Sequence, residues 1–224
     1  MRMLLMNTCG TEGVVALADT TLEKAIVVEE QLPGRSSSET LMPAIMRLFR
    51  GAGWSSGELG AVVVVLGPGS FTGVRVGLSA AKGLCEACGA GMIALSRLAL
   101  VAEAACPDAG ENVLALLDAG RNEFYSGLYK DGVCREERLI AREEAVALAS
   151  GVAAVGTCEL RVVEALPALA VRMTPEPMPD ALLRAALARI GRGEWTDVAS
   201  VDANYLRRTD AEVLADRKHA GTAV

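Results

Sequence analysis

Four consecutive β-branched residues, Val62 to Val65, run directly into Gly67-Pro-Gly-Ser-Phe-Thr-Gly-Val-Arg-Val-Gly-Leu-Ser-Ala-Ala-Lys-Gly-Leu84. A β-branched run favours a strand, and alanine, leucine and lysine at close spacing favour a helix. Only Leu66 to Thr72 remain to turn the chain between them. Gly67, Gly69 and Gly73 free the backbone there and remove Cβ atoms from its path. Ser70 and Thr72 add hydroxyls, and the unpaired N–H groups at the helix start form a positive pole suited to an anion. The stretch therefore predicts a strand, a tight corner and a helix, with residues able to form a phosphate-cradling loop at the corner.

The 224 residues are 51% hydrophobic, enough to bury a substantial core. No apolar run approaches the roughly 20 residues of a membrane span. Met1 to Asn7 is too short an apolar stretch for a signal peptide, so a cytoplasmic protein is expected. Cys9, Cys85, Cys88, Cys106, Cys134 and Cys158 lack the spacing of a disulfide framework and read as free thiols. A net charge of −6, with three Phe, three Tyr and two Trp, gives no global basic field or aromatic platform for a nucleic acid.

Strand patterns at Met3 to Met6, Gly13 to Leu17 and Lys24 to Glu29 precede a helical pattern at Thr40 to Arg50. The strand at 61–66, the glycine corner, a helix from Val74 to Cys88, a strand Met92 to Leu95 and a helix Leu98 to Ala105 close a first half. After the break at Pro107-Asp-Ala-Gly110, strands at 113–117, 124–129 and 133–139 begin a second set. It continues through a helix at 142–149, strand Ala153 to Val155, helix Glu159 to Leu166, strand Ala168 to Met173 and helix Pro179 to Arg192. Laid without gaps, Leu5 to Leu22 covers Leu116 to Val133 and places Asn7 on Asp118, Glu12 on Glu123 and Leu17 on Leu128. The pattern predicts a duplicated α/β fold of two domains, 1–106 and 107–224.

A polar residue at each strand–turn–strand resembles the actin, hexokinase and Hsp70-like fold, in which two such hairpins grip nucleotide phosphates. Asp118 keeps a carboxylate for that task, while Asn7 has no charge with which to hold a divalent ion. The glycine loop departs from both common nucleotide patterns. A Walker loop needs Gly-Lys-Ser/Thr where Thr72-Gly73-Val74 stands, and a dinucleotide fingerprint needs glycine at Thr72. Zinc at Cys85-Glu-Ala-Cys88 lacks a second cysteine pair, and His219 is the one histidine. With that one histidine in a polar tail and no serine arranged with it, a Ser-His-Asp triad is not expected. Ser36 to Glu39 reads as a capping box, although Thr40 as cap would better place Pro43 within a first turn. Tyr205-Leu-Arg-Arg208 mixes aromatic and basic residues on what reads as a surface strand.

The helix after the glycine corner carries two apolar stripes. Val74, Leu78, Ala81, Cys85 and Cys88 form one; Val76, Ala80, Gly83 and Ala87 lie nearly opposite, with Arg75, Ser79, Lys82 and Glu86 between. Small residues let another helix approach, either from the same domain or from a partner chain.

The glycine stretch, Ser38-Glu39 with Leu41-Met42-Pro43, Leu117-Asp118-Ala119 with Glu123-Phe124-Tyr125, and Tyr205-Leu-Arg207 together resemble the bacterial TsaB family, also called YeaZ. The resemblance implies an actin-like subunit of tRNA threonylcarbamoyladenosine synthesis with no catalytic activity, cofactor or metal of its own. It implies a heterodimer with the metal-bearing enzyme TsaD and a larger complex with the ATPase TsaE. TsaD then moves threonylcarbamoyl onto the adenosine beside the anticodon of tRNAs that read A-starting codons, and this subunit meets tRNA only indirectly. It assigns the partner interface to Val76, Ser79, Ala80, Lys82, Gly83, Ala87, Leu41 and Met42, a face that would also allow a homodimer. Gly67, Gly69, Ser70, Thr72 and Gly73 become a vestigial phosphate site, and Asn7 with Asp118 a degenerate clamp. The chain departs from the family at Asn7, usually Asp; at Ser38, usually His; and at Ala203 or Asn204, usually Pro. The alternative is an actin-like hydrolase or kinase with its own weak ATP site at Asp118 and the glycine loop. A glycoprotease would need a histidine pair for its metal.

Overall fold

The structure, a computed structural model, describes residues 1–33, 37–105 and 110–207. Ser36, Cys106, most of the break at 107–110, Arg208 and His219 lie outside the described residues.

Two five-stranded sheets are built to one plan. In the first, β1 (Arg2–Asn7) pairs antiparallel with β2 (Gly13–Asp19), and β2 with β3 (Ile26–Leu32). On its other side β1 runs parallel to β4 (Leu59–Val65), and β4 to β5 (Gly91–Leu95), giving the order β3-β2-β1-β4-β5. The second sheet repeats this with β6 (Asn112–Gly120), β7 (Glu123–Lys130), β8 (Val133–Ala141), β9 (Ala154–Thr157) and β10 (Val171–Met173), in the order β8-β7-β6-β9-β10. The expected duplicated, two-sheet α/β fold is therefore present. The overlay without gaps needs one correction. Leu5 faces Ala16 across the first hairpin, whereas Leu116 faces Ser126, not Gly127, across the second. The second turn is effectively one residue shorter, so β6 matches β1 in place while β7 slips by one against β2. A one-residue slip moves every side chain to the other face, so Leu17 and Leu128 are not equivalent.

Each sheet is buried on both faces, which is why β1, β2 and β4 read as nearly unbroken apolar runs. Alternation divides them. Leu4, Met6, Val15, Leu17, Val62 and Val64 face α1 (Ser37–Ala52) and α2 (Phe71–Cys88). Met3, Leu5, Ala16, Val63 and Val65 face Leu182, Leu183 and Ala186 of α6 (Pro179–Gly191). On the second sheet, Val113, Ala115 and Leu117 pack on Leu98, Val101 and Ala105 of α3 (Arg97–Ala105). Leu114, Leu116 and Phe124 pack on Ala145 of α4 (Arg142–Ala149) and Val162 of α5 (Leu160–Ala165). A cut at residue 106 separates the sheets but not their coats. Helix α3, from the first half, covers the second sheet, and α6, from the second half, covers the first.

Helix α1 begins at Ser37, not Thr40, which leaves Pro43 beyond the first turn. Pro43 is exposed, so the carbonyl it cannot serve lies on the solvent side. After α6 the chain returns to the first sheet. Thr196 bridges to Met92, and the Trp195 ring lies against Gly91, where a Cβ would meet it at 2.4 Å. The Asn204 N–H then donates to the Leu66 carbonyl at 3.0 Å, beside the glycine corner.

Candidate functional site

The C-terminal ends of six strands, three from each sheet, open on one cleft, the place where α/β sheets hold ligands. Beyond β1 lie Cys9 and Gly10; beyond β4, Gly69 and Ser70; beyond β5, Arg97. From the other side come Asp118 at the end of β6, Cys158 and Glu159 after β9, and Glu176 after β10. These residues enclose a cleft of about 760 Å³.

An ion triad spans it. Arg97, whose side chain is 3% exposed, donates to Glu159 at 2.8 Å and to both carboxylate oxygens of Glu176, at 2.8 and 2.5 Å. Burial opposes its charge, but the Glu176 carboxylate outweighs that and holds the guanidinium protonated, its pKa raised. Glu159 also accepts from the Asp118 N–H at 2.7 Å, so the triad links α3 to the second hairpin. Asn7 lies beneath it. Its amide donates to Glu176 at 3.3 Å and to the Pro177 carbonyl at 3.1 Å, and its oxygen accepts from the Cys9 N–H at 3.1 Å. All three polar bonds of this buried side chain are thus made inside the protein. Asp118 keeps one oxygen on the Gly120 N–H at 2.8 Å and the other 3.7 Å from the largely exposed Arg161. Of the two clamp positions only Asp118 lines the cleft; Asn7, 1% exposed, is buried behind Glu176 and does not line it.

Burial favours the protonated form of the cleft thiols. Burial pushes the Cys9 thiol up to about 12 against the opposing charge of Arg97, and Cys158 to about 12 for the same first cause. Cys85, on the buried stripe of α2, is raised to about 11 by burial, and Cys88 is a free thiol beside it.

The glycine loop packs on the first hairpin. A Cβ at Gly69 would stand 2.2 Å from the Cys9 carbonyl oxygen, and one at Gly73 would stand 1.9 Å from that of Thr8. The Ser70 N–H donates to the Cys9 carbonyl at 2.8 Å, and the Thr8 hydroxyl to the Gly73 carbonyl at 2.7 Å. The Ser70 hydroxyl caps its own helix, accepting from the Gly73 N–H at 3.2 Å. Gly67, at φ +95°, makes the corner itself. Thr72 is exposed at the start of α2.

On α2, Val74, Leu78, Ala81 and Cys85 are buried, as the first stripe requires. The second stripe divides: Val76 and Ala80 are half-buried in the cluster that holds Ala44, Ile45 and Leu48 of α1, while Gly83 and Ala87 are exposed beside Ser79. Lys82 is half-buried. Met42 is exposed, and so is Met46 one turn on. Leu41 is not available to a partner, because it is 1% exposed and packs into the core.

Sequence pattern alone does not single out Arg97, Glu159 and Glu176. A lone cation between an apolar strand and an apolar helix was the available signal for Arg97. Nothing local marks its two carboxylates, because they follow different strands of the other sheet.

A family model described as TsaD, tRNA N6-adenosine threonylcarbamoyltransferase, matches residues 27–175. The chain is 36% identical over 96 residues to the tRNA threonylcarbamoyladenosine biosynthesis protein TsaB of Haemophilus influenzae, covering 42% of this chain and 41% of that one. With Escherichia coli TsaB it shares 31% over 131 residues, covering 58% and 55%. The aligned stretches thus span roughly half the length of these curated relatives or less. A crystal structure of YeaZ from Pseudomonas aeruginosa superposes with a TM-score of 0.71 at 26% identity, over 92% of this chain and 99% of that one.

Proposed function

Because the chain belongs to the TsaB (YeaZ) family, within the group that the TsaD model describes, we propose that it serves tRNA threonylcarbamoyladenosine synthesis as a non-catalytic, cytoplasmic subunit that binds and activates TsaD. The observation that carries the non-catalytic part is the Arg97–Glu159–Glu176 triad. A phosphate-gripping cleft needs free donors and a carboxylate for the metal. Here Arg97, the one buried cation among the described residues, is committed to two carboxylates, and the uncharged Asn7 amide is held by three internal hydrogen bonds, so Asp118 alone of the clamp pair keeps a carboxylate for a metal. The two sheets are tied by internal ion pairs where a nucleotide would otherwise bridge them.

The partner surface is the outer side of α1 and α2, where Met42, Met46, Ser79, Gly83 and Ala87 are exposed together. A methionine pair beside small residues suits a helix packing closely against it. TsaE would join through that complex, and a second copy of this chain competes for the same face.

Gly83→Glu tests the surface cleanly, since a Cβ there meets nothing within 4 Å and the fold is undisturbed. Ala80→Arg is the poorer probe because Ala80 is half-buried against the core. Co-purification of the Gly83→Glu protein with TsaD at wild-type yield would refute the surface. Depletion of the chain followed by nucleoside analysis of tRNA tests the process, with loss of threonylcarbamoyladenosine as the expected result.

A further inference from the structure

Two stretches that the partner reading does not use, Phe71 to Arg75 and Tyr205 to Arg207, meet at one surface cavity of about 250 Å³. It opens beside the glycine corner and the β6–β7 turn, at the N-terminal end of α2, where Phe71 and Arg75 begin the exposed row that continues through Ser79, Gly83 and Ala87. Phe71, Tyr125 and Tyr205 line it, which gathers three of the chain's three Phe, three Tyr and two Trp at one place. The Phe71 and Tyr205 rings stand 5.6 Å apart at 41°, exposed by 46% and 42%. Arg75 is not part of the lining. Its guanidinium stacks 3.6 Å from the Phe71 centroid, and its Nε donates to the Tyr205 hydroxyl at 2.6 Å, which fixes both rings. The tail is held as well, since Asn204 donates through its amide to Glu137 and through its N–H to Leu66.

Two cations complete the lining. Arg121 is exposed at the turn, at φ +58°, with no ion pair among the described residues. Arg207 pairs with Glu123 at 2.7 Å and donates to the Ala119 carbonyl at 2.9 Å through Nη2. Its Nε is buried without an acceptor among the described residues. Fixed aromatic faces want a flat conjugated ring. The exposed Arg121 guanidinium, without an ion pair among the described residues, wants an anion. An inorganic anion would leave the rings unused, and an apolar ligand would leave Arg121 without a partner.

We propose that this cavity docks one nucleotide unit, its base against Phe71 and Tyr205 and its phosphate on Arg121. A free mononucleotide and an unstacked residue of single-stranded RNA share that chemistry. The inference does not rest on the TsaD reading, and its test involves no second protein.

The experiment follows fluorescence anisotropy of a labelled single-stranded RNA of about ten nucleotides, titrated with the full chain at several salt concentrations, with AMP as competitor. The wild type is expected to bind. Phe71→Ala with Tyr205→Ala should weaken binding by about tenfold or more. Arg121→Gly, which suits the positive φ, should weaken it and lower the salt slope by about one charge. Thermal unfolding of each variant checks the fold, which half-exposed rings and an exposed arginine do not carry. Displacement by AMP assigns the site to a free nucleotide; resistance to AMP, with binding still lost in the variants, assigns it to a strand. No RNA or AMP binding by the wild type, or binding unchanged in both variants, overturns the proposal.

Discussion

A methyl group added at Gly73 would sit 1.9 Å from the carbonyl oxygen of Thr8, a backbone atom that cannot swing aside. Gly73→Ala is therefore expected to cost about 3 kcal/mol or more, because strand end and helix start must separate. Gly83 lies ten residues further along the same helix with nothing near it, and Gly83→Ala should gain about 0.5–1 kcal/mol from reduced backbone freedom in the unfolded chain. Urea midpoints of the two variants should move in opposite directions; equal shifts would refute this account of the glycines. The sequence places a strand, a corner and a helix here correctly. It does not reveal what the glycines approach, because Thr8 and Cys9 lie some sixty residues away in the chain. Arg97 was hidden for the same reason: its meaning comes from Glu159 and Glu176, which only the duplicated topology brings near.

Elements were more readable than residues, since burial follows periodicity. Leu41, Ala44, Ile45 and Leu48 repeat at helical spacing and are all buried, and β1, β2 and β4 look apolar throughout because both faces are covered. Ends and contacts were less readable. Helix α1 starts early enough to carry Pro43 in its body, where it has no N–H for the carbonyl four residues before it. Pro43→Ala supplies that donor on an exposed face and should stabilise the protein by about 1–3 kcal/mol, read as a rise in denaturation midpoint. An unchanged midpoint would mean that the helix bends there for its packing on the sheet, so that alanine gains no bond. The second stripe of α2 had two open readings, a helix of the same domain or a partner. The structure bears out the first for Val76 and Ala80, half-buried in the α1 cluster, and leaves Gly83 and Ala87 exposed.

At the scale of the molecule, the two sheets are joined by exchanged coats. An apolar helix face announces that something will cover it but not which sheet, so the exchange of α3 and α6 could not be read from hydrophobic pattern. Fragments 1–106 and 107–224 should each fail to fold alone, the first lacking Leu182, Leu183 and Ala186, the second lacking Leu98, Val101 and Ala105. Circular dichroism and urea titration of the fragments check this, and the intact chain should unfold in a single cooperative transition. A stably folded first fragment would show that α6 contributes little to the first sheet. The exchange also sets an order of events during translation. Residues of β1 leave the ribosome long before α6, and at about 5–20 residues per second the interval is roughly 10–35 s. Once β4 has joined β1, the Met3, Leu5, Val63 and Val65 face waits without the helix that covers it, so the newborn chain exposes an apolar surface that the finished protein conceals.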